Sequence, residues 1–152
     1  MIKLMFVGDV FGQPGRRMLG KTFPDLRRDV DFAIVNMENS AGGFGMHRDA
    51  AEGALRAGAD CRTLGNHAWD RREILPYISE SPRLIRPLNF PPGTPGFGSI
   101  VVEVPGGRRA LVLNAMGRLF MDALDCPFGG TAQELAKYRR GGTVAAPAVD
   151  FQ

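Results

Sequence analysis

Three short apolar runs alternate with segments of helical spacing in the first half of the chain. The runs cover residues 2–7, 31–35 and 60–64, and the first has the pattern of a buried strand. Alternation of strands with helices predicts a parallel sheet whose connections are right-handed crossovers. The chain is therefore predicted to have an α/β fold.

Two helices are predicted between these strands. The first begins near Pro14, because proline is tolerated in the first turn of a helix. Apolar residues then recur at the spacing of one helix face, at Leu19, Phe23 and Leu26. Pro24 is expected to end or kink this helix. The second helix covers Arg48–Ala57, and Gly58 stands in the position of its carboxyl-terminal cap.

A third helix is predicted after residue 70. Asp70 and Glu73 have the spacing of a capping box, in which the first residue caps the helix and the second reaches back. The residues then expected to face the core are Ile74, Leu75 and Ile78. Pro76 should keep this helix short or kink it.

In the rest of the chain, the sequence pattern predicts a long loop, a hairpin, a helix and a last strand. Residues 86–98 are too rich in proline and glycine for regular structure. Two apolar runs, 99–104 and 109–114, flank a Pro-Gly-Gly turn and predict an antiparallel hairpin. A helix is expected over 132–139. The run 143–151 contains a proline, which limits it to an irregular or edge strand.

Each of the first three strands is followed by polar side chains beside glycine. Asp9 follows the first, Glu38 and Asn39 follow the second, and Asn66 and His67 follow the third. Open α/β folds collect functional groups at the carboxyl ends of strands. Carboxylate, amide and imidazole groups are also ligands for divalent metals that activate water. The pattern therefore predicts one metal site at this edge of the sheet.

Each of these residues also has a simpler interpretation. Asp and Asn beside glycine are favoured turn formers, and a lone histidine more often caps or packs than catalyses. The recurrence after three successive strands favours the metal site. His67, next to a candidate ligand, could then donate a proton to a leaving oxygen.

Composition limits the class of protein. The 152 residues suit one domain covering 1–152, and 44% hydrophobic with 23% charged residues is ordinary for a soluble globular protein. No run approaches the roughly 20 apolar residues that span a bilayer. The two cysteines form no CxxC pattern, which predicts reduced thiols in a cytoplasmic protein.

A nucleic-acid-binding module is a weaker hypothesis. The net charge of +3 comes mainly from arginine pairs. Such pairs usually lie on solvated surface, whereas a nucleic-acid interface forms a continuous basic stripe. The glycines of residues 8–15 spell neither a P-loop nor GxGxxG, so a nucleotide-binding fingerprint is not supported.

The candidate site residues lie in strings that resemble the calcineurin-like metallophosphoesterases. Gly8-Asp9-Val10, Glu38-Asn39 and Gly65-Asn66-His67 resemble the first three motifs of that superfamily, with Glu38 where most relatives have a bridging Asp. The longer strings, among them Leu-Gly-Asn-His-Ala-Trp-Asp and Arg-Pro-Leu-Asn-Phe-Pro-Pro-Gly-Thr-Pro-Gly, resemble its YmdB-type branch. The resemblance runs from residue 2 to about residue 128.

This resemblance implies a fold, an activity and a set of roles. The fold would be a two-sheet β-sandwich flanked by helices (αββα), here lacking its C-terminal portion. The activity would be hydrolysis of 2′,3′-cyclic nucleotides or related phosphodiesters, RNA-derived ones among them, with two divalent metal ions, iron or manganese. The implied roles are Asp9 as ligand of the first metal, Glu38 as bridging carboxylate, Asn39 and Asn66 as ligands of the second metal, and His67 as general acid.

The chain departs from the branch at its carboxyl terminus. Relatives have an Asp-Phe-His motif and a later Gly-Thr-His-Thr-His motif that complete both metal shells. This chain ends Asp150-Phe151-Gln152 and contains only two histidines, of which His47 matches no family ligand and is expected on the surface or in a loop. The alternative function is therefore a non-catalytic family member that binds metal or nucleotide as a regulatory interaction module.

The same departure predicts a partner. A sandwich without its last portion should expose apolar sheet surface, and such surface is normally covered by another molecule. We therefore expect a homo-oligomer or a partner chain on the exposed sheet, and no membrane.

Overall fold

A computed structural model describes residues 1–138 and 144–152. Within these residues the chain forms two sheets and four helices. The elements, in chain order, are β1 (Leu4–Val7), α1 (Gly12–Arg27), β2 (Phe32–Asn36), α2 (Arg48–Ala57), β3 (Cys61–Thr63), α3 (Ile74–Glu80), β4 (Leu84–Ile85), β5 (Ser99–Val104), β6 (Arg108–Ala115), α4 (Pro127–Ala136) and β7 (Ala146–Phe151).

The first sheet is parallel, with the strand order β1-β2-β3-β4. This arrangement confirms the parallel sheet that the strand–helix alternation predicts. Every residue of β2 is buried, because this central strand is covered on both faces. On one face, Val35 packs in a core that includes Phe23 of α1, Ala54 of α2 and Ile78 of α3.

The second sheet has the order β5-β6-β7. The antiparallel β5–β6 hairpin is as predicted, and β7 is an edge strand that pairs in parallel with β6. Phe32 and Ile34 of the first sheet share a core with Val102 and Val112 of the second. On the far face of the second sheet, Leu111 and Leu113 of β6 belong to a third cluster, and Leu135 of α4 packs against it. These four layers confirm the αββα sandwich.

Several local predictions were wrong. Strand β1 is not buried, since it pairs only with β2 and Leu4 and Phe6 are exposed. Helix α1 does not end at Pro24 but continues to Arg27, three residues further on. The ring and the missing N–H of a proline affect the turn that precedes it, so the last residues of the helix can still form, and Leu26 among them is exposed. Helix α4 begins at Pro127, before the predicted position 132; residues 139 and 143, which bounded two predicted elements, lie outside the described residues.

The predicted capping box is also wrong. Helix α3 begins at Ile74, its N-cap is Glu73, and no side chain caps it. The predicted cap, Asp70, accepts a hydrogen bond from another side chain in the site described below. Ile74 and Ile78 are buried as expected, whereas Leu75 is partly exposed.

Two arginines have hydrogen-bond partners inside the protein, although the sequence predicts that the arginine pairs lie on solvated surface. Arg62, on β3, is fully buried and donates to the hydroxyls of Tyr77 at 2.9 Å and Ser81 at 2.8 Å. Arg27 donates to the Gly58 carbonyl at 3.0 Å and to the Asp60 carboxylate at 2.9 Å. These internal partners weaken the argument for a basic nucleic-acid-binding surface.

Both cysteines are free, as predicted; Cys61 is buried and Cys126 is exposed. In the part of the chain that the structure describes, no helix is long and apolar enough to cross a membrane.

Candidate metal centre

The loops that follow β1, β2 and β3 are joined by backbone hydrogen bonds. The Val10 N–H donates to the Asn36 carbonyl at 3.1 Å, and the Gly12 N–H donates to the Asn39 carbonyl at 2.9 Å. The Met37 N–H donates to the Thr63 carbonyl at 2.9 Å. Parallel pairing brings the three strand ends to one edge of the sheet, and these bonds hold their loops together there.

Asp9 and Asn39 form the first contact of the site. The Asn39 Nδ2 donates to the Asp9 Oδ1 at 2.6 Å. The Asn39 Oδ1 is buried and has no donor within the described residues. Asp9 has φ 47°, in the left-handed region, which Asp adopts more readily than most residues. The amide of Asn39 therefore presents a free oxygen next to a carboxylate.

Glu38 is the buried carboxylate of the site, with 5% of its surface exposed. Burial raises the pKa of Glu38 above its ordinary value, and the nearby Asp9 carboxylate acts in the same direction. The His67 backbone N–H donates to Glu38 Oε2 at 3.2 Å and opposes this shift. A Cβ at Gly65 would lie 2.5 Å from both carboxylate oxygens. The carboxylate therefore fits only because residue 65 is glycine.

His67 has partners on both ring nitrogens. Its Nδ1 donates to Asp70 Oδ2 at 2.6 Å, and its Nε2 lies 3.0 Å from the Asn66 Nδ2. The two contacts assign the proton to Nδ1 and make Nε2 the acceptor. The ring of Phe44 meets the imidazole edge to face, with the centroids 4.8 Å apart. Together these contacts fix the orientation of the imidazole.

The structure brings the five predicted residues to one edge in two contact groups. One group is the Asp9–Asn39 pair, and the other is Glu38, Asn66 and His67. The groups are linked because Glu38 and Asn39 are adjacent in the chain. His47, which is predicted to lie on the surface or in a loop and not in the site, directly precedes α2 and contacts Glu73.

The donors present suit hard divalent cations. No group of three or more His, Cys, Asp or Glu side chains able to hold a metal occurs among residues 1–138 and 144–152. The two carboxylates would therefore need the amide oxygens of Asn39 and Asn66 as further ligands. Oxygen donors of this kind suit Mg²⁺ and Mn²⁺, and the orphaned, buried Asn39 Oδ1 is the kind of atom that a cation would satisfy.

Two features near the site were missed in the sequence. The first is Asp70: the sequence predicts it as a helix cap, but its position three residues after His67 is also a signal that the two could pair. The second is the glycine-rich turn 41–45, which places Phe44 against His67. The turn is fixed by Arg71, which donates to the Ala41 carbonyl at 3.1 Å and the Phe44 carbonyl at 3.3 Å.

A buried polar cluster between the sheets was also missed. It consists of Asn36, Thr63, Asn114 and Asp150, all buried. Asn114 donates to the Leu64 carbonyl, just before Gly65. Burial raises the pKa of Asp150 above its ordinary value, although Thr63, Gln152 and Asn36 act against this shift. Gln152 donates to Asp150 Oδ1 at 2.6 Å.

Comparison with known proteins identifies the family. The family model of YmdB-like proteins matches residues 5–152, so the chain belongs to the YmdB-like family. A 2′,3′-cyclic-nucleotide 2′-phosphodiesterase of Bacillus subtilis (strain 168) is 42% identical over 129 residues, which are 84% of this chain and 48% of that protein.

Two solved structures share the fold. A hypothetical protein from Thermus thermophilus superposes with a TM-score of 0.88 at 40% identity, over 99% of this chain and 58% of the other. A protein described as a novel phosphatase, from Mycoplasma pneumoniae, superposes with a TM-score of 0.87 at 28% identity, over 99% of this chain and 54% of the other. The chain thus spans about half the length of these relatives.

Proposed function

We propose that this chain is a metal-dependent phosphodiesterase that hydrolyses 2′,3′-cyclic nucleotides or related phosphodiesters. The observation that supports this most is the convergence of Asp9, Glu38, Asn39, Asn66 and His67 at the ends of three parallel strands. The phosphodiesterase name of the Bacillus subtilis relative, at 42% identity, supports the reaction class. The two free cysteines support a cytoplasmic location.

The proposed cofactor is a pair of divalent ions: manganese, which the oxygen donors suit, or iron, which the family resemblance implies. Asp9 would hold the first ion, Glu38 would bridge both, and Asn39 and Asn66 would hold the second. When bound, such a pair activates water as a nucleophile and neutralises phosphoryl charge. The Asn66 amide suits this role because its nitrogen faces His67 and leaves its oxygen for a cation.

His67 would act as the general acid. Asp70 holds the imidazole through Nδ1, so Nε2, which is the acceptor in the neutral ring, would take up the second proton and become the donating nitrogen of the imidazolium. From there the proton would pass to the ribose oxygen that leaves phosphorus. Positioned proton donors contribute roughly 10²- to 10⁴-fold to a rate.

The cofactor proposal is tested by elemental analysis. Protein purified without chelator should contain close to two metal ions per chain, and Asn66→Ala should lower this content. Hydrolysis of bis-p-nitrophenyl phosphate with Mn²⁺ or Fe²⁺ measures the activity. One tight metal or none, with no hydrolysis, would reject catalysis by this chain and favour the non-catalytic metal- or nucleotide-binding module.

The proton-donor role is tested by His67→Ala. The variant should keep its metal content and lose roughly 10²- to 10⁴-fold in turnover of a 2′,3′-cyclic nucleotide. A smaller loss is expected with bis-p-nitrophenyl phosphate, because p-nitrophenolate leaves without a proton. Unchanged turnover of the cyclic nucleotide would reject the general-acid role.

A further inference from the structure

A cavity of about 410 Å³ opens beside His67. Its walls come from residues 66–70, from Phe90 and from the segment 116–124 that follows β6. This volume is within the range of small-molecule sites. Aromatic and thioether side chains line it together with Asn66, His67 and two acidic residues, so the cavity joins an apolar wall to the candidate centre.

The apolar wall has a fixed part. The rings of Trp69 and Phe90 meet edge to face with their centroids 5.6 Å apart and their planes at 67°. This is a preferred geometry for aromatic pairs. Trp69 is two residues after His67, so the pair fixes an indole ring close to the proposed proton donor.

Phe120 forms an exposed part of the same cavity, and folding alone does not account for it. The side chain is 94% exposed, so it gains almost nothing from burial. Its backbone has φ 61°, a left-handed conformation that is a genuine outlier for a bulky residue. Asp9 is the other non-glycine residue with positive φ in the described chain. Strained residues of this kind cluster at functional sites.

We infer that Phe120 and Trp69 hold the nucleobase of the substrate while its phosphate lies at the candidate metal centre. The inference rests on the proposed function and names the part of the substrate that this cavity recognises. Stacking on aromatic rings tolerates any base, because every base has a π-face. The preferred ligand is therefore a nucleoside phosphate, and a sugar phosphate without a base should bind poorly.

The test uses the fluorescence of Trp69, the only tryptophan in the chain. Adenosine 3′-monophosphate, in the presence of Mn²⁺, and adenosine alone should each change this fluorescence saturably, whereas ribose 5-phosphate should not. Phe120→Ala should weaken the binding of both ligands at least about fivefold, since stacking is worth ~1–3 kcal/mol per base. Phe120→Tyr, which keeps a ring, should restore it.

Phe128→Ala is the matched control. Phe128 is also an exposed phenylalanine, but it stacks on Phe151 and lies outside the cavity. Its replacement should leave nucleoside binding unchanged. Thermal melts of all variants establish that each is folded, so that a loss of binding reports on the ring.

The outcomes separate this inference from the proposed function. Equal effects of ribose 5-phosphate and the nucleotide, or unchanged affinity in Phe120→Ala, would overturn the base site even if bis-p-nitrophenyl phosphate is hydrolysed. Adenosine binding that depends on Phe120, in a protein that hydrolyses nothing, would support the base site and reject the proposed activity.

Discussion

Gly65 is the residue on which the position of Glu38, the buried carboxylate of the candidate metal centre, depends. The Glu38 oxygens occupy the space that a Cβ would take, at 2.5 Å. Gly65→Ala should therefore displace the Glu38 side chain, lower the free energy of unfolding by ~1–3 kcal/mol as in other overpacked sites, and reduce the metal content. Chemical denaturation and elemental analysis measure the two effects.

The matched control is Gly20→Ala. Gly20 lies in α1, and a Cβ there would meet nothing within 4 Å. Because alanine is the better helix former, this variant should gain up to ~1 kcal/mol and keep its metal. If Gly65→Ala were as stable and as metal-loaded as this control, the tight fit around Glu38 would be wrong.

The backbone conformation of Phe120 is expected to lower the stability of the protein, while its ring contributes to ligand binding. A left-handed conformation costs about 1–2 kcal/mol in most L-residues, while glycine adds ~0.5–1 kcal/mol of chain entropy to the unfolded state. Phe120→Gly should therefore melt at the same temperature as the parent protein or slightly higher, and yet bind adenosine as weakly as Phe120→Ala. A clear fall in melting temperature would mean that the ring stabilises the fold.

The residues of the candidate site could be predicted from the sequence only where a polar side chain follows a strand. Asp9, Glu38, Asn39, Asn66 and His67 could be proposed because each follows an apolar run within a few residues and lies near glycine. Asp70 could not be assigned in this way, since a residue that suits a helix cap suits an imidazole partner equally well. Only the three-dimensional position of the His67 ring separates the two roles.

The start of α4 gives its cysteine an unusual environment for this chain. Cys126 is the N-cap of α4, and the backbone N–H groups of Gly129 and Phe128 lower the pKa of its exposed thiol. Burial instead raises the pKa of Cys61 to about 12. Since the thiolate is the nucleophile, the two cysteines should differ in reactivity.

Alkylation by iodoacetamide measures this difference. In the native protein, Cys126 should react with a rate that is half-maximal below pH 9.0, the ordinary thiol value, and Cys61 should react only after denaturation. The native protein also holds the Cys61 proton more tightly than the unfolded chain does. The corresponding stability is therefore present below pH 9.0 and is lost as the pH rises towards about 12.

Cys126→Ser is the control for both measurements. It should abolish native alkylation and leave the alkaline loss of stability in place. Native labelling of Cys61 at pH 8 would show that β3 opens more readily than its position in the sheet suggests.

Long periodic elements could be predicted from the sequence, and short ones could not. Helix α2 matches its prediction because the alanine-rich run ends in a glycine, and Gly58 has φ 111°. Strand β4 has only two residues and was not predicted, because two residues show no period. Its place in the sheet comes from pairing with β3, which is a long-range contact.

At the scale of the whole molecule, the packing of one sheet on the other could not be derived from local patterns. The alternation of elements predicts a parallel sheet, and the four-layer sandwich was expected only through family resemblance. The cores that join the layers depend on contacts between distant segments, such as Phe32 with Val112. The same layering leaves one side of β1 uncovered: Leu4 is 42% exposed and Phe6 is 45% exposed.

The exposure of Leu4 and Phe6 predicts that the chain self-associates. Leu4 and Phe6 pair in register with Phe32 and Ile34, so they continue the face that forms the core between the sheets. The outer edge of β1 also pairs with no other strand of the described chain, and an uncovered edge with apolar side chains favours pairing with another chain. We propose a second copy of this chain as the partner.

Light scattering should therefore give a mass of twice the 16.5 kDa chain or more at micromolar concentration. The double variant Leu4→Lys/Phe6→Lys should return the mass to that of one chain, because two charges on this face oppose its burial. Leu119→Lys, at an exposed leucine outside both sheets, should leave the mass of the assembly unchanged. A mass of one chain for the unmodified protein at every concentration would exclude the second copy and leave a different protein chain as the expected partner of this face.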